Sequence, residues 1–239
     1  MPFNKGDFLL VDYVAKVKDE DRILETTIAE EAKKAGIYDE NKAYEPKLII
    51  LGEGWLLKSV EDEILNMDIG EEKVIELPPE KAFGERDPSK VRVIPARELT
   101  RRRIRPVLGA QIEINGRIGL VRSVGSGRVV VDFNHPLAGR TLIYKVKVVK
   151  KLESLEERIR ALIHTRLPSI EAGKFKIEIK DGDVTIWVPE EALNLDGLQI
   201  FKRALAMDVR RYIEDISLLK FIEEFKVREE TKEPQQEQQ

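Results

Sequence analysis

The feature that most constrains this chain is an alternation of apolar and mixed residues, typical of a β-strand, in the second half of residues 132–149. Residues 134–139 before it contain Pro136 and Gly139, which predict a tight connection. Candidate partner strands lie far upstream, at Phe8–Val17 and Lys73–Leu77. The sequence therefore predicts a domain that is interrupted and then completed by this strand. The alternation sets a core-facing series against a mixed one: Leu142, Tyr144, Val146 and Val148 against Thr141, Ile143, Lys145 and Lys147.

Composition excludes several classes of protein. The 239 residues, 42% hydrophobic and 36% charged, suit a soluble chain of one to three domains. No apolar run approaches the roughly 18 residues of a membrane span, and no signal peptide is visible, so we expect a cytoplasmic protein without membrane contact. Cysteine is absent and there are two histidines, so no metal and no other cofactor is predicted. With a net charge of -3, any basic surface for nucleic acid has to be local.

The N-terminal third reads as strands around one helix. Leu57, Val60, Ile64 and Met67 recur at helical spacing, which predicts an amphipathic helix over residues 56–67 that ends before Gly70. Residues 28–42 predict a short helix or an irregular flap. Strands are predicted at Phe8–Val17, Ile23–Thr27, Leu48–Leu51 and Glu72–Leu77.

Residues 85–131 form a separate, arginine-rich stretch. Short strands are predicted at 110–114, 118–124 and 128–131, joined by Asn115-Gly116 and by a Gly-Ser-Gly turn, so we interpret this stretch as a small β-rich insert. Arg101, Arg102, Arg103 and Arg105 could bind RNA or ribosomal phosphate. A solvated basic face is the favoured interpretation, because no aromatic stacking partner is near them in the sequence.

The last third predicts a small α+β region. Helices are expected at 155–167 and 198–213, with a hairpin of strands 175–179 and 184–188 between them, whereas 216–227 fits either a helix end or a strand. Residues 228–239 should be disordered. A core this small is often completed by a partner. We therefore expect Ile200, Leu205 and Ile213 to be left over and covered by a second copy in a homodimer or by clients.

Three segments in this order resemble one family: Asp12-Tyr13-Val14, residues 82–88 with the sequence Ala-Phe-Gly-Glu-Arg-Asp-Pro, and Asn-His-Pro-Leu-Ala-Gly at 134–139. The chain resembles the SlyD-type FKBP prolyl isomerases, and more closely their long archaeal members, over Lys5–Val149. The resemblance implies an α+β fold in which an antiparallel sheet wraps on one helix. It also implies an isomerase domain at 1–84 and 132–150, an insert-in-flap chaperone domain at 85–131, a C-terminal α+β domain at 151–227, and a tail at 228–239.

The same resemblance implies an apolar substrate pocket. Its catalytic positions fall on Tyr13, Glu25, Leu56, Leu57, Val60, Phe83 and Tyr144. Leu24 also falls on a pocket position and is expected to bind substrate, and we expect the same of the apolar residues Leu142, Ile112, Ile114 and Val121, the last three in the insert. Three of these depart from the family pattern, because Phe83 replaces a tyrosine, Val60 an aromatic residue and Glu25 an aspartate. Without the resemblance, Tyr13 and Tyr144 would be interpreted as core tyrosines.

Two function classes stay open. The first is a peptidyl-prolyl cis-trans isomerase with chaperone activity, in which the insert captures unfolded or nascent polypeptides and passes X-Pro bonds to the pocket. The second is a non-catalytic chaperone or ribosome-associated binding protein on the same fold, which Phe83 and Val60 favour. His135 has no catalytic partner at suggestive spacing and is expected to stabilise a turn. His164 is expected to be a surface or packing residue on a helix.

Overall fold

The computed structural model describes residues 3–225 and 227, so the tail predicted at 228–239 lies outside the described residues. The chain is α+β. The strands are β1 (Phe8–Val17), β2 (Arg22–Thr26), β3 (Lys47–Ile50), β4 (Glu72–Leu77), β5 (Val91–Pro95), β6 (Gln111–Ile114), β7 (Arg117–Gly125), β8 (Arg128–Asp132), β9 (Leu142–Leu152), β10 (Lys176–Lys180), β11 (Asp183–Val188) and β12 (Leu218–Glu223).

Six α-helices connect them in the described residues. They are α1 (Ala29–Lys34), α2 (Lys58–Ile64), α3 (Ala96–Arg101), α4 (Leu155–Arg166), α5 (Glu190–Leu193) and α6 (Leu198–Tyr212). None of them is both long and apolar enough to cross a bilayer, as far as the described residues show.

The late strand is inserted between upstream strands, as the sequence predicts. The main sheet has the order β2-β1-β9-β4, and β3 also pairs with β1. β9 runs antiparallel to β4, with Ile75 opposite Tyr144 and Leu77 opposite Leu142. The alternating residues of β9 are buried on one face, so an interrupted sheet is completed after residue 141.

Helix α2 is shorter at both ends than the predicted helix. Leu57 has an extended backbone, so the helix begins at Lys58, after the two leucines. Val60 and Ile64 are fully buried on its inner face. Leu56 and Leu57 therefore lie on the entry segment rather than on the helix itself.

The insert forms its own four-stranded antiparallel sheet in the order β5-β8-β7-β6. Three predicted strands are confirmed, but β5 and α3 were missed, because Arg92, Pro95 and the arginine run hide their apolar periodicity. Leu99 of α3 is fully buried and covers one face of the sheet. The core of the insert consists of Ile94, Leu99, Ile112, Ile114, Val121, Val129 and Val131.

The chain divides into two compact units. One contains residues 11–47 and 56–149; the other contains residues 4–10, 48–55 and the chain from 150 onward. In the second unit, β12 pairs in parallel with β11, so the ambiguous stretch after 216 contains a strand.

The core of the second unit is completed by the chain's own N-terminal residues. Phe8, Leu48 and Ile50 belong to the same buried cluster as Phe175 and Phe201. This overturns part of the expectation of leftover apolar residues: Leu205 and Ile213 are 0% and 5% exposed within this core, whereas Ile200 is 75% exposed.

Candidate functional site

Two buried tyrosines lie side by side in the main sheet. Strand alternation on β1 and β9 turns Tyr13 and Tyr144 to the core, where their ring centroids are 6.3 Å apart at 30°. They are 2% and 9% exposed. Burial raises the pKa of both hydroxyls, and the nearby Glu25 charge raises it further. Both hydroxyls therefore stay protonated and can act as hydrogen-bond donors.

Glu25 and Lys47 form a polar group against Tyr13. The Lys47 Nζ lies 3.2 Å from Glu25 Oε1 and 3.4 Å from the Tyr13 hydroxyl. Burial works against ionisation of Glu25, but the hydrogen bond from Tyr13 and the charge of Lys47 outweigh it and lower its pKa. The Tyr13 hydroxyl thus lies in a polar group with Glu25 and Lys47. Lys47 was missed by the sequence reasoning, because nothing local distinguishes it from other exposed lysines.

The entry to α2 presents two half-buried leucines. The Leu56 N–H donates to Glu61 Oε1 at 2.9 Å, and Glu61 is 3% exposed. The Leu57 carbonyl accepts from the N–H groups of Val60 and Glu61, at 2.8 and 3.1 Å. Among the described residues the Leu57 N–H has no acceptor, so it is available to a ligand carbonyl. The buried carboxylate of Glu61 was also missed by the sequence reasoning.

Phe83 is held by the loop after β4. Gly84, at a φ of +78° that favours glycine, donates its N–H to the Pro79 carbonyl at 2.7 Å. The Phe83 ring stacks on His135 with centroids 4.2 Å apart and planes within 8°. His135 Nδ1 accepts from the Leu137 N–H at 3.2 Å, which confirms the expected turn-stabilising role.

The two junctions of the insert are tied together at one place. Asn134 Oδ1 accepts from the Asp87 N–H, and Asn134 Nδ2 donates to the Asp87 carbonyl, both at 2.9 Å. Asp132, 3% exposed, accepts from Arg86 at 2.8 Å and Arg122 at 3.3 Å. Burial would raise the pKa of Asp132, but hydrogen bonds from Asn134 and the charge of Arg86 lower it. The insert therefore starts and ends at one junction, whose two sides are joined by hydrogen bonds and ion pairs.

The predicted substrate residues fall in different environments. Leu24 is half-buried, whereas Leu142 is fully buried. Ile112, Ile114 and Val121 are 7%, 9% and 1% exposed and lie in the insert core. Successive residues of a strand face opposite sides, so these three point inward. The exposed apolar residues of the insert are instead Val93, Val107, Leu108, Ile118 and Val124.

The first unit thus brings Tyr13, Tyr144 and Glu25 together. Val60 lies fully buried on α2, and Leu56, Leu57 and Phe83 are partly accessible. No described side chain in this group is an activated nucleophile. The arrangement suits binding and reorientation of an apolar peptide rather than covalent chemistry.

Comparison with known proteins gives the following matches. Residues 155–226 match the family model described as FKBP26_C-terminal, and residues 92–137 match the one described as FKBP26, IF domain. The short-type peptidyl-prolyl cis-trans isomerase of Methanocaldococcus jannaschii is 36% identical over 144 residues, which are 60% of this chain and 90% of the relative. The SlyD isomerase of Helicobacter pylori is 30% identical over 131 residues, 54% of this chain and 71% of the relative. An FKBP-type 16 kDa isomerase of Escherichia coli is 29% identical over 116 residues, 46% of this chain and 77% of the relative.

Proposed function

The chain belongs to the SlyD-like FKBP-type peptidyl-prolyl cis-trans isomerases, and from that premise we propose that it rotates X-Pro bonds at the site around Tyr13, Leu57 and Phe83. The observation that carries the proposal is the buried Tyr13–Tyr144 pair in the same unit as accessible Leu56, Leu57 and Phe83. Buried aromatic residues and partly exposed apolar side chains in one unit are what an apolar peptide-binding site requires.

The site lowers the barrier to rotation without forming a bond to the substrate. Uncatalysed rotation crosses roughly 18–20 kcal/mol, because amide resonance is lost in the twisted state. Moving the charge-separated planar amide from water to an apolar site raises its free energy relative to the twisted amide. The Leu57 N–H holds the carbonyl of a substrate, while Phe83 and Leu56 exclude water from the bond. Binding the twisted amide more tightly than the planar amide is sufficient for catalysis.

Phe83 gives the site an apolar rim where a tyrosine would supply a hydroxyl donor. The stacked His135 ring keeps Phe83 in one orientation, so its role is to pack on the substrate proline. This favours an enzyme that is slow on short peptides. It is also the observation behind the second candidate function, a non-catalytic chaperone on the same fold.

The insert captures the polypeptides on which the site acts. Unfolded or nascent chains with X-Pro bonds in the cytoplasm are the proposed partners, and residues 85–131 are the proposed capture domain. Its outward apolar residues, including Val93 and Ile118, which are 60% and 64% exposed, are accessible to such chains. Two weak sites on one short tether raise the effective concentration of the second toward millimolar. A homodimer through residues 151–227 stays a proposal that rests on Ile200, since Leu205 and Ile213 are covered.

Exchange spectroscopy on a peptide with an apolar residue before proline tests the enzymatic proposal without a coupled protease. We expect micromolar protein to broaden the cis and trans resonances. Leu56→Gln, which puts a polar side chain where water should be excluded, should abolish the effect, whereas Val74→Gln, at a position on β4 that is 63% exposed, should not. An uncatalysed rate with the wild-type protein would leave the non-catalytic chaperone as the function.

Removal of residues 86–130 tests the capture step separately. Because the junctions meet at Asp87 and Asn134, a short turn can replace the insert. We expect the peptide rate to be retained and the refolding of a proline-limited protein to slow by at least tenfold. A parallel loss of both activities would show that the insert supports the site structurally and captures nothing.

A further inference from the structure

The positive charge of this chain is concentrated in the insert. Residues 86–131 contain eleven basic and three acidic residues, a net charge of +8. Because the whole chain carries -3, the remainder must carry -11. Such segregation gives the insert a local attraction for anions while the rest of the molecule repels them.

The basic residues of the insert are almost all arginine. Ten of the 19 arginines in the chain lie within residues 86–131, but just one of the 22 lysines, Lys90. Solubility alone is served equally well by lysine, which the rest of the chain prefers. Arginine differs in its planar fork, which binds phosphate oxygens in pairs, and in stacking its flat guanidinium on rings. The composition of the insert therefore fits phosphates and bases better than it fits a merely solvated surface.

Most of these arginines have no carboxylate partner. Arg86 and Arg122 pair with the buried Asp132, and Arg102 pairs with Glu98. Within the described part of the chain, the other exposed arginines of the insert form no ion pair: Arg92, Arg97, Arg101, Arg103, Arg105, Arg117 and Arg128. We call these seven residues the unpaired arginines.

A small groove lined by two of the unpaired arginines contains an aromatic ring. It has a volume of about 200 Å³ and is lined by Arg92, Ile94, Pro95, Arg117 and Phe133, with Glu98 and Asn115 at its polar side. The Arg117 guanidinium lies 5.8 Å from the centre of the Phe133 ring. The sequence has no aromatic residue next to the arginine run, but the fold brings Phe133 to the same groove as Arg92.

The polar side of the groove does not oppose an anion. Arg102 donates to Glu98 at 3.1 Å and to Asn115 Oδ1 at 2.7 Å, so the carboxylate of the groove is neutralised. At about 200 Å³ the groove is too small for a duplex, and the Phe133 ring forms part of its wall. Stacking between a cation and an aromatic residue is how sequence-tolerant proteins hold single-stranded bases.

We propose that the unpaired arginines of the insert bind single-stranded nucleic acid, with phosphates on their exposed guanidinium groups and one base stacked against Phe133 in the groove beside Arg117. This binding is additional to peptide isomerisation, and of the exposed apolar side chains of the insert Val93 also lines the groove. An enzyme that acts on nascent chains would thereby be retained where such strands are exposed.

Fluorescence anisotropy of the full chain with labelled 15-nucleotide oligouridine and oligothymidine, from 50 to 200 mM salt, tests the proposal. The triple variant Arg101→Gln, Arg103→Gln, Arg105→Gln should weaken binding more than tenfold at 50 mM salt. It should also reduce the slope of log K against log salt by about 2, since each phosphate contact contributes roughly 0.7. The oligomer that binds with the higher affinity identifies RNA or DNA as the ligand.

Matched variants separate geometry from charge. Replacing the same three arginines by lysine should keep the salt slope and weaken binding a few-fold, because charge is kept and the fork is lost. Removing three charges elsewhere, with Lys180→Gln, Arg203→Gln and Arg210→Gln, should have no comparable effect, as these exposed residues lie in the second unit. Phe133→Leu should weaken binding by about fivefold or more through lost stacking.

Three results would overturn the proposal: no saturable signal at 50 mM salt, equal competition by polyglutamate and unlabelled oligomer, or equal losses in the glutamine triple and the control triple. Peptide isomerisation measured on the same samples reports on the folded site independently. Binding and isomerisation can thus fail separately, and a variant that fails to fold is recognised by the loss of both.

Discussion

The insert and the C-terminal region are both small, but they build their cores in opposite ways. Every buried member of the insert core lies between Ile94 and Val131. The C-terminal core instead includes Phe8, Leu48 and Ile50, from more than 100 residues upstream. A closed core can be added to or removed from a sheet, whereas a shared core ties distant segments of the chain to one folding event.

The largest expected effect comes from ending the chain at Lys150. This uncovers Phe8, Leu48 and Ile50, and burial of three such side chains is worth about 5–9 kcal/mol. That is comparable to the whole stability of a typical domain. We expect the shortened protein to lose its cooperative thermal transition in circular dichroism and to aggregate in light scattering. A soluble protein with an unchanged midpoint would contradict the shared core.

Cavities made by substitution in the two cores should affect hydrogen exchange over different parts of the chain. Phe175→Ala should cost about 3–5 kcal/mol, and Leu99→Ala about 2–5 kcal/mol, since both side chains are fully buried. Hydrogen exchange should show faster exchange for Phe175→Ala in β10 to β12 and also in the first residues of β1. For Leu99→Ala the change should stay within residues 91–132, with the peptide rate retained. Equal spread in the two variants would remove the distinction.

The junction of the insert should show a charge-dependent effect of intermediate size. Asp132→Asn loses charge-assisted hydrogen bonds from Arg86 and Arg122 and should destabilise the insert by about 1.5–3 kcal/mol. Because the pKa of Asp132 is lowered, its stabilisation is complete above about pH 3.9 and is lost as pH falls through the lower folded-state pKa.

Hydrogen exchange of the insert between pH 3 and 7 measures this dependence. The wild-type insert should lose stability toward the acid end, and the variant should lose less. Asp19→Asn, at an exposed position, serves as the control. An unchanged acid dependence in Asp132→Asn would assign it to other carboxylates.

The smallest effect concerns the site itself. Phe83→Tyr returns a hydroxyl donor, and one neutral hydrogen bond is worth about 0.5–1.5 kcal/mol, so the peptide rate should rise about two- to tenfold. The gain should be the same with and without residues 86–130 if the insert is independent of the site. Phe225→Tyr, at a position that is 68% exposed, is the control. A gain that needs the insert would couple the two regions.

The same contrast explains what the sequence could predict. β4 and β9 follow from local alternation, and the boundaries of β4 were predicted to the residue. The prediction that Leu205 is left uncovered by its own region was wrong, because its neighbours in the core come from the other end of the chain. The interpretation of Ile112 as client-binding followed apolar character, but which face of a strand is buried depends on α3, which was not predicted.

The candidate site was predictable to a similar extent. Tyr13, Tyr144 and Phe83 were predicted from the order of the sequence motifs. The residues that contact them could be identified only from the folded structure. Lys47 reaches Glu25 across 22 residues and His135 reaches Phe83 across 52, and neither distance is visible in local periodicity.

The shared core also sets an order of events during synthesis. Phe8 is made early, but Phe175 and Phe201, its companions in the core, follow roughly 170–190 residues later. At about 5–20 residues per second, β1 waits roughly 10–40 s before its apolar end is covered. During that interval this chain is itself an unfinished polypeptide with an exposed strand, in the same condition as the clients proposed for it.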